Sequence, residues 1–184
     1  MTILLTGFEP FEGRSVNASW LAVQAVARTW SGPPLRVVQL PVSYARAPAA
    51  LLGALEATRP DVVVCVGEAG DEALVEGGPV AYLTRLPLRA CVAAAGSAGA
   101  PAEVSESAGT FVCNAVFYAL ARALEPTGVV HGFVHVPRLP AQTPTVGGGM
   151  PTDVAAAGLG ALLAVCAPSG AGLSRPECSQ ARPR

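Results

Sequence analysis

Two residues in this chain have the types needed for a thiol nucleophile and its base. Cys113 ends the stretch Ser107-Ala-Gly-Thr-Phe-Val-Cys113-Asn114, where a small, glycine-containing turn runs into a helix predicted from Cys113 to about Leu124. A thiol in a helix's first turn lies near unpaired backbone N–H groups and the positive end of the macrodipole, both of which favour the thiolate. His135 follows in Phe133-Val-His135-Val-Pro137, at the end of a short apolar strand. A cysteine at a helix start and a histidine at a strand end can act as nucleophile and general base in acyl transfer. Each residue also has a plainer reading, Cys113 as a core thiol and His135 as a satisfied core histidine. The chain's other histidine, His131, reads as surface at the start of the same strand.

Other stretches bear on the same chemistry. Gly7-Phe8-Glu9-Pro10-Phe11 places two of the chain's five phenylalanines after a predicted strand. They suit either a lid over the core or an apolar pocket for a small flat ring. Gly67-Glu68-Ala-Gly70 is a tight turn after another strand, too short for a phosphate loop and followed by no dinucleotide fingerprint. Glu72 and Glu76 read as solvated loop charges. The five cysteines are odd in number and lack CxxC spacing, which argues against a disulfide framework and a zinc site and for a reducing cytoplasm. Cys65, Cys91 and Cys166 read as buried small hydrophobes. Cys178 has no supporting context.

The elements that must position these residues alternate along the chain. Strands are expected at Ile3–Thr6, Leu35–Leu40, Asp61–Val66 and Gly132–Val136, with a short one at Ala102–Ser105. Helices are expected over Ala18–Trp30, capped by Asn17 or Ser15, over Ala49–Thr58 with Pro48 at its first position, over Pro87–Gly96, and over Asp153–Cys166. This alternation predicts a three-layer α/β/α sandwich on a mostly parallel sheet, with the site beyond the carboxyl ends of the strands. One domain is expected over residues 1–167, with 168–184 a disordered tail rich in Ser, Gly, Pro and Arg. The chain is 51% hydrophobic, 14% charged and has a net charge of −1, so it lacks a footprint for nucleic acid or an anionic membrane. It shows no membrane-length apolar run, and its N-terminus reads as a strand, not as a secretory signal.

Taken in order, seven motifs resemble the pyroglutamyl-peptidase I family, also called pyrrolidone-carboxylate peptidases. They are Thr6-Gly-Phe-Glu-Pro-Phe11, Val16-Asn-Ala-Ser-Trp20, Leu40-Pro-Val42, Val66-Gly-Glu-Ala-Gly70, Gly77-Gly-Pro-Val-Ala-Tyr-Leu-Thr-Arg-Leu-Pro87, the Cys113 stretch, and Gly132-Phe-Val-His-Val-Pro137. The resemblance covers residues 3 to about 166. It implies a cysteine peptidase that removes an N-terminal pyroglutamyl (5-oxoproline) residue from peptides through a thioester, without metal or cofactor. Cys113 would be the nucleophile and His135 its base. Phe8 and Phe11 match the residues that sandwich the lactam ring, and Asn17 lies in the adjoining loop. A homo-oligomer is compatible with the family, and no nucleic-acid or membrane partner is implied.

The chain departs from the family in two places. Between Gly70 and Gly77, roughly 25–30 family residues have no counterpart, among them the glutamate that completes a Cys-His-Glu triad. Neither Glu72 nor Glu76 matches that glutamate. Glu68 replaces a family glutamine, which would set a charge beside a neutral lactam. Two alternatives to an active peptidase are a catalytically weak or inactive paralogue that binds a small ligand or partner, and an unrelated α/β hydrolase or nucleosidase-like enzyme.

Overall fold

A computed structural model describes residues 1–68, 82–109, 112–143 and 148–167. The expected tail at 168–184, Glu72, Glu76, Cys178, the later part of the Gly67–Gly70 turn, and Thr110 and Phe111 of the cysteine turn lie outside the described residues. The described chain runs β1 (Ile3–Phe8), α1 (Ala18–Thr29), β2 (Leu35–Leu40), α2 (Arg46–Thr58), β3 (Val62–Glu68), α3 (Leu88–Ser97), α4 (Val112–Leu124), β4 (Val130–Val136) and α5 (Thr152–Cys166). Short 3₁₀ turns occur at Glu125–Thr127 and Pro140–Gln142.

The four strands form one parallel sheet in the order β2-β1-β3-β4. Every residue of β1 and β3 is buried. That is why their sequences read as unbroken apolar runs and not as alternating patterns. Side chains alternate between the two faces of each strand. Ile3, Leu5, Val62, Val64 and Val66 pack with Val23 and Val26 of α1 and Leu159 and Leu163 of α5. Leu4, Phe8, Val63 and Cys65 pack on the opposite face with Leu51 and Leu55 of α2 and Val116 and Leu120 of α4. Helix α3 lies against α5. The three-layer sandwich expected from the alternation is therefore what forms.

The chain leaves β1 toward β2 and later returns to put β3 on the other side of β1. The carboxyl ends of β1 and β3 thus flank a topological switch point, where open α/β sheets bind ligands. Gly7 lets the helix on this side come close: a Cβ there would lie 3.0 Å from the Cα of Trp20 and 3.1 Å from the Ser19 carbonyl oxygen.

Three local expectations are corrected. Helix α2 starts at Arg46, with the Ser43 hydroxyl accepting from the Arg46 N–H at 3.3 Å, so Pro48 is its third residue. Proline is tolerated there because a first-turn N–H has no intrahelical partner to lose. Residues 102–105 form no strand; all four are exposed, and Val104 finds no core to bury it. His131 is buried, not at the surface. Strand β4 begins two residues earlier than expected, and the segment 84–86 straps across it. The Arg85 N–H donates to the His131 carbonyl at 2.8 Å, and the Thr84 hydroxyl donates to the same oxygen at 3.1 Å. The His131 Nδ1 lies 2.9 Å from the Val129 carbonyl oxygen.

Candidate active site

Cys113 is the second residue of α4, whose first turn carries no acidic side chain to offset the positive end of the helix. Its thiol is buried over the carboxyl end of β3. A Cβ built on Gly67 would lie 2.8 Å from the Cys113 Sγ and 2.8 Å from the Phe133 ring. Gly67 is therefore required for space, so that the nucleophile candidate can rest directly on the strand. In the β3–β4 register, Gly67 is paired with His135. Parallel partners project to the same face, so the imidazole and the thiol share the α4 side of the sheet. The His135 and Phe133 rings are 5.1 Å apart, and Phe133 is also 6.4 Å from both Phe8 and Phe117.

Burial dominates the electrostatics. It pushes the Cys113 thiol up to about 12, although the residue's own N–H pulls the other way. It also moves His135 below its ordinary value. Both shifts disfavour charge, so thiol and imidazole both rest neutral on this face. The His135 Nε2 is buried without a hydrogen-bond partner, and among the described residues no carboxylate is bonded to this ring.

The loop after β1 is held from several directions. The Phe8 N–H donates to the Ser19 Oγ at 3.0 Å, and the Glu9 N–H donates to the Leu40 carbonyl at 2.9 Å. The Glu9 carboxylate accepts from the Val42 N–H at 3.0 Å. Asn17 is the N-cap of α1: its Oδ1 accepts from the Ser19 N–H at 2.9 Å and the Ser19 hydroxyl at 2.6 Å, while its Nδ2 donates to the Glu9 carbonyl at 3.2 Å. Asn17 thus ties the phenylalanine loop to the helix start. Phe8 is buried beside Phe133, and Phe11 is half-buried under the Arg14 guanidinium, whose carbon lies 4.9 Å from the ring centre.

Glu68 is on the other face of β3 from Gly67. Its side chain is fully shielded. Oε1 accepts from Arg14 at 2.5 Å, and Oε2 accepts from the Ala18 N–H, at the start of α1, at 2.9 Å. Arg138 approaches the same carboxylate at 3.8 Å. The charge at position 68 is therefore neutralised within the protein. The alternation of faces also aims it away from His135.

A groove of about 1280 Å³ opens beside β4, lined by His135, Phe133, Phe117, Tyr118, Asn114 and the 101–108 segment among others. Cys113, Phe8 and Phe11 do not line it. The structure thus groups Cys113, His135 and Phe8 around Phe133, and sets Phe11, Asn17 and Glu68 on the neighbouring loop and helix start. The sequence reading missed Phe133, although period-2 spacing from His135 placed it on the same face. It also missed Ser19 and Arg14. Arg14 meets Glu68 across 54 positions, and no local signal announces that.

A thiol on a helix start beside an imidazole on a strand end, above the switch point of a parallel sheet, defines an α/β hydrolytic layout of the thiol type. Comparison with known proteins narrows the class. The pyroglutamyl peptidase family profile matches residues 1–75 and 70–167, and the chain belongs to that family. The pyrrolidone-carboxylate peptidase of Clavibacter michiganensis subsp. michiganensis is 43% identical over 166 residues, taking in 74% of this chain and 78% of the relative. That of Streptomyces coelicolor is 39% identical over 197 residues, covering 90% and 91%. The crystal structure of Bacillus amyloliquefaciens pyroglutamyl peptidase I superposes with a TM-score of 0.80 at 32% identity, covering 90% of this chain and 96% of that one.

The same comparisons locate the shortened stretch. The Clavibacter alignment spans 166 positions, yet 74% of 184 residues is only about 136, so roughly 30 of the relative's positions have no counterpart here. The two matched pieces of the family profile meet at residues 70–75, where the motifs also break.

Proposed function

We infer that this chain is a cysteine exopeptidase that hydrolyses the bond following an N-terminal pyroglutamyl residue. Residues 1–167 form its single catalytic domain. The observation that carries the reading is the seat of the Cys113 Sγ on Gly67, the register partner of His135, at the switch-point edge of a family member's sheet.

In this mechanism the Cys113 sulfur attacks the pyroglutamyl carbonyl carbon as His135 takes the thiol proton. The neutral resting pair makes this a general-base step, not attack by a preformed thiolate. N–H groups in the first turn of α4 hold the developing oxyanion. The intermediate collapses, His135 gives its proton to the leaving amine, and a thioester remains on Cys113. Water then attacks the thioester while His135 takes a proton from it, and the thiol and pyroglutamate are released. Among the described residues no carboxylate is bonded to the His135 ring, so the proposed steps are carried by Cys113 and His135. Phe8 and Phe11 supply aromatic walls for the lactam, with Asn17 holding their loop. The groove beside His135 receives the rest of the peptide.

No described helix is long and apolar enough to cross a membrane. The four described cysteines are free thiols, which supports a cytoplasmic location. The test is release of a chromogenic amine from its pyroglutamyl amide. Turnover by the wild type, abolished in Cys113→Ser, is the expected result. Binding of the amide without release, at high enzyme concentration, would instead identify a non-catalytic lactam-binding paralogue.

A further inference from the structure

We propose that Arg14, clamped by the buried Glu68 carboxylate, is the positioning residue that sets the Phe11 wall of the lactam pocket; this rests on the function proposed above. The chain turns sharply after Phe11. Glu12 and Gly13 have φ of 54° and 72°, and the Arg14 N–H donates to the Phe11 carbonyl at 3.1 Å. Two successive left-handed residues fold the chain so that Arg14 comes back over the Phe11 ring. A glutamate is disfavoured in that region, so the turn needs an outside tether.

Arg14 provides the tether through two carboxylates. Glu12 is bonded at 3.1 Å on the exposed side, and Glu68 at 2.5 Å on the shielded side. Glu68 is itself anchored, because its second oxygen takes the first N–H of α1, a favourable place for an anion. Its backbone directly follows Gly67, on which the Cys113 thiol rests. The pair therefore links the loop after β1 to the strand end after which the nucleophile is seated. In this arrangement Glu68 does not face the substrate as a charge. It acts through Arg14, whose guanidinium lies over the aromatic ring within cation–π distance. On this basis position 68 bears on how tightly the lactam is gripped and not on proton transfer at His135.

The experiment compares wild type, Arg14→Met, Glu68→Gln and the double variant by two readouts. One is KM and kcat for a pyroglutamyl amide of a chromogenic amine. The other needs no turnover: the concentration of 2-pyrrolidone, the lactam ring alone, that halves the rate of Cys113 alkylation. Arg14→Met is expected to raise both KM and the protecting concentration about tenfold, while kcat stays within about twofold. Glu68→Gln should give a smaller rise, because Arg14 keeps Glu12. Arg14→Met also strands a buried carboxylate and could fail to fold. The double variant carries neither charge and must then show the same rise in KM. Unchanged KM and protection in a folded Arg14 variant would overturn the proposal, leaving the pair a structural ion pair. A fall in kcat at constant KM would also overturn it. A wild type without turnover sinks the proposed function, yet protection lost in Arg14→Met would still uphold the clamp. A wild type that 2-pyrrolidone does not protect removes the pocket and the clamp together.

Discussion

At the scale of single residues, the proposed chemistry turns on two groups whose surroundings oppose charge. Burial lowers His135, so the protonated form, which cannot act as base, accumulates only on the acid side of the ordinary value of 6.5. The acid limb of a plot of kcat/KM against pH is therefore expected below 6.5, and a limb above that value would show that the imidazole is stabilised as a cation. The thiol, held up at about 12, gives the opposite signature. Alkylation of Cys113 without substrate should be slow at neutral pH and should rise continuously through pH 9–10, with no plateau from an imidazolium–thiolate pair. The helix-start and strand-end positions of both residues were legible in the sequence. Their protonation states were not, because these depend on how much of the folded protein excludes water from them.

At the scale of elements, β3 and α1 decide the site's shape. Gly67 leaves room beneath the Cys113 sulfur, and its replacement by alanine would put a methyl group 2.8 Å from that sulfur. Gly67→Ala is expected to cost about 1–3 kcal/mol from overpacking, and to lower turnover far more than its change in melting temperature explains. Turnover equal to wild type would mean that the thiol acts from another position. Asn17→Ala removes the α1 N-cap and the bond to the Glu9 carbonyl. A loss of about 1 kcal/mol in a denaturant titration is expected, with KM raised because the phenylalanine loop loses an anchor. The strand and helix identities followed from apolar runs and capping residues. The false strand at 102–105 arose where local alternation met no core to bury it, and the expected start of α2 was too late because Pro48 was read as its first residue while the helix already buries Ala47.

At the scale of the whole molecule, two cores share one sheet and bury thiols in both. Cys65 and Cys113 lie on one side, Cys91 and Cys166 on the other, the last two with sulfurs 3.8 Å apart. Burial pushes Cys65, Cys113 and Cys166 up to about 12 from 9.0. Above pH 9 the unfolded chain loses these protons and the folded one keeps them. Stability should therefore fall as pH rises from 9 toward 12. Urea midpoints measured from pH 7.5 to 10.5 should drop, and the drop should shrink in Cys65→Val/Cys166→Ala. A drop of the same size in that variant would assign it to other groups. The same scale bears on the shortened stretch. The chain has about 30 fewer positions than its Clavibacter relative, the break falls between β3 and α3, and the described strands form one four-stranded sheet.

Much of this protein is determined by the sequence alone. Apolar runs and helix signals specify a parallel α/β sandwich, because burial on both faces of a strand and capping at a helix start leave marks on neighbouring residues. The motifs around Cys113 and His135 likewise point to the proposed chemistry, since the proposed nucleophile and base each carry a recognisable local setting. Tertiary structure decided the rest. Sheet order, not sequence, placed Gly67 opposite His135 and under the sulfur of Cys113. Strand alternation turned Glu68 away from the imidazole, and the fold brought Arg14 to it across 54 positions. Such pairings arise only when the chain closes on itself, so the charge that looked misplaced beside a neutral lactam became one half of a shielded ion pair.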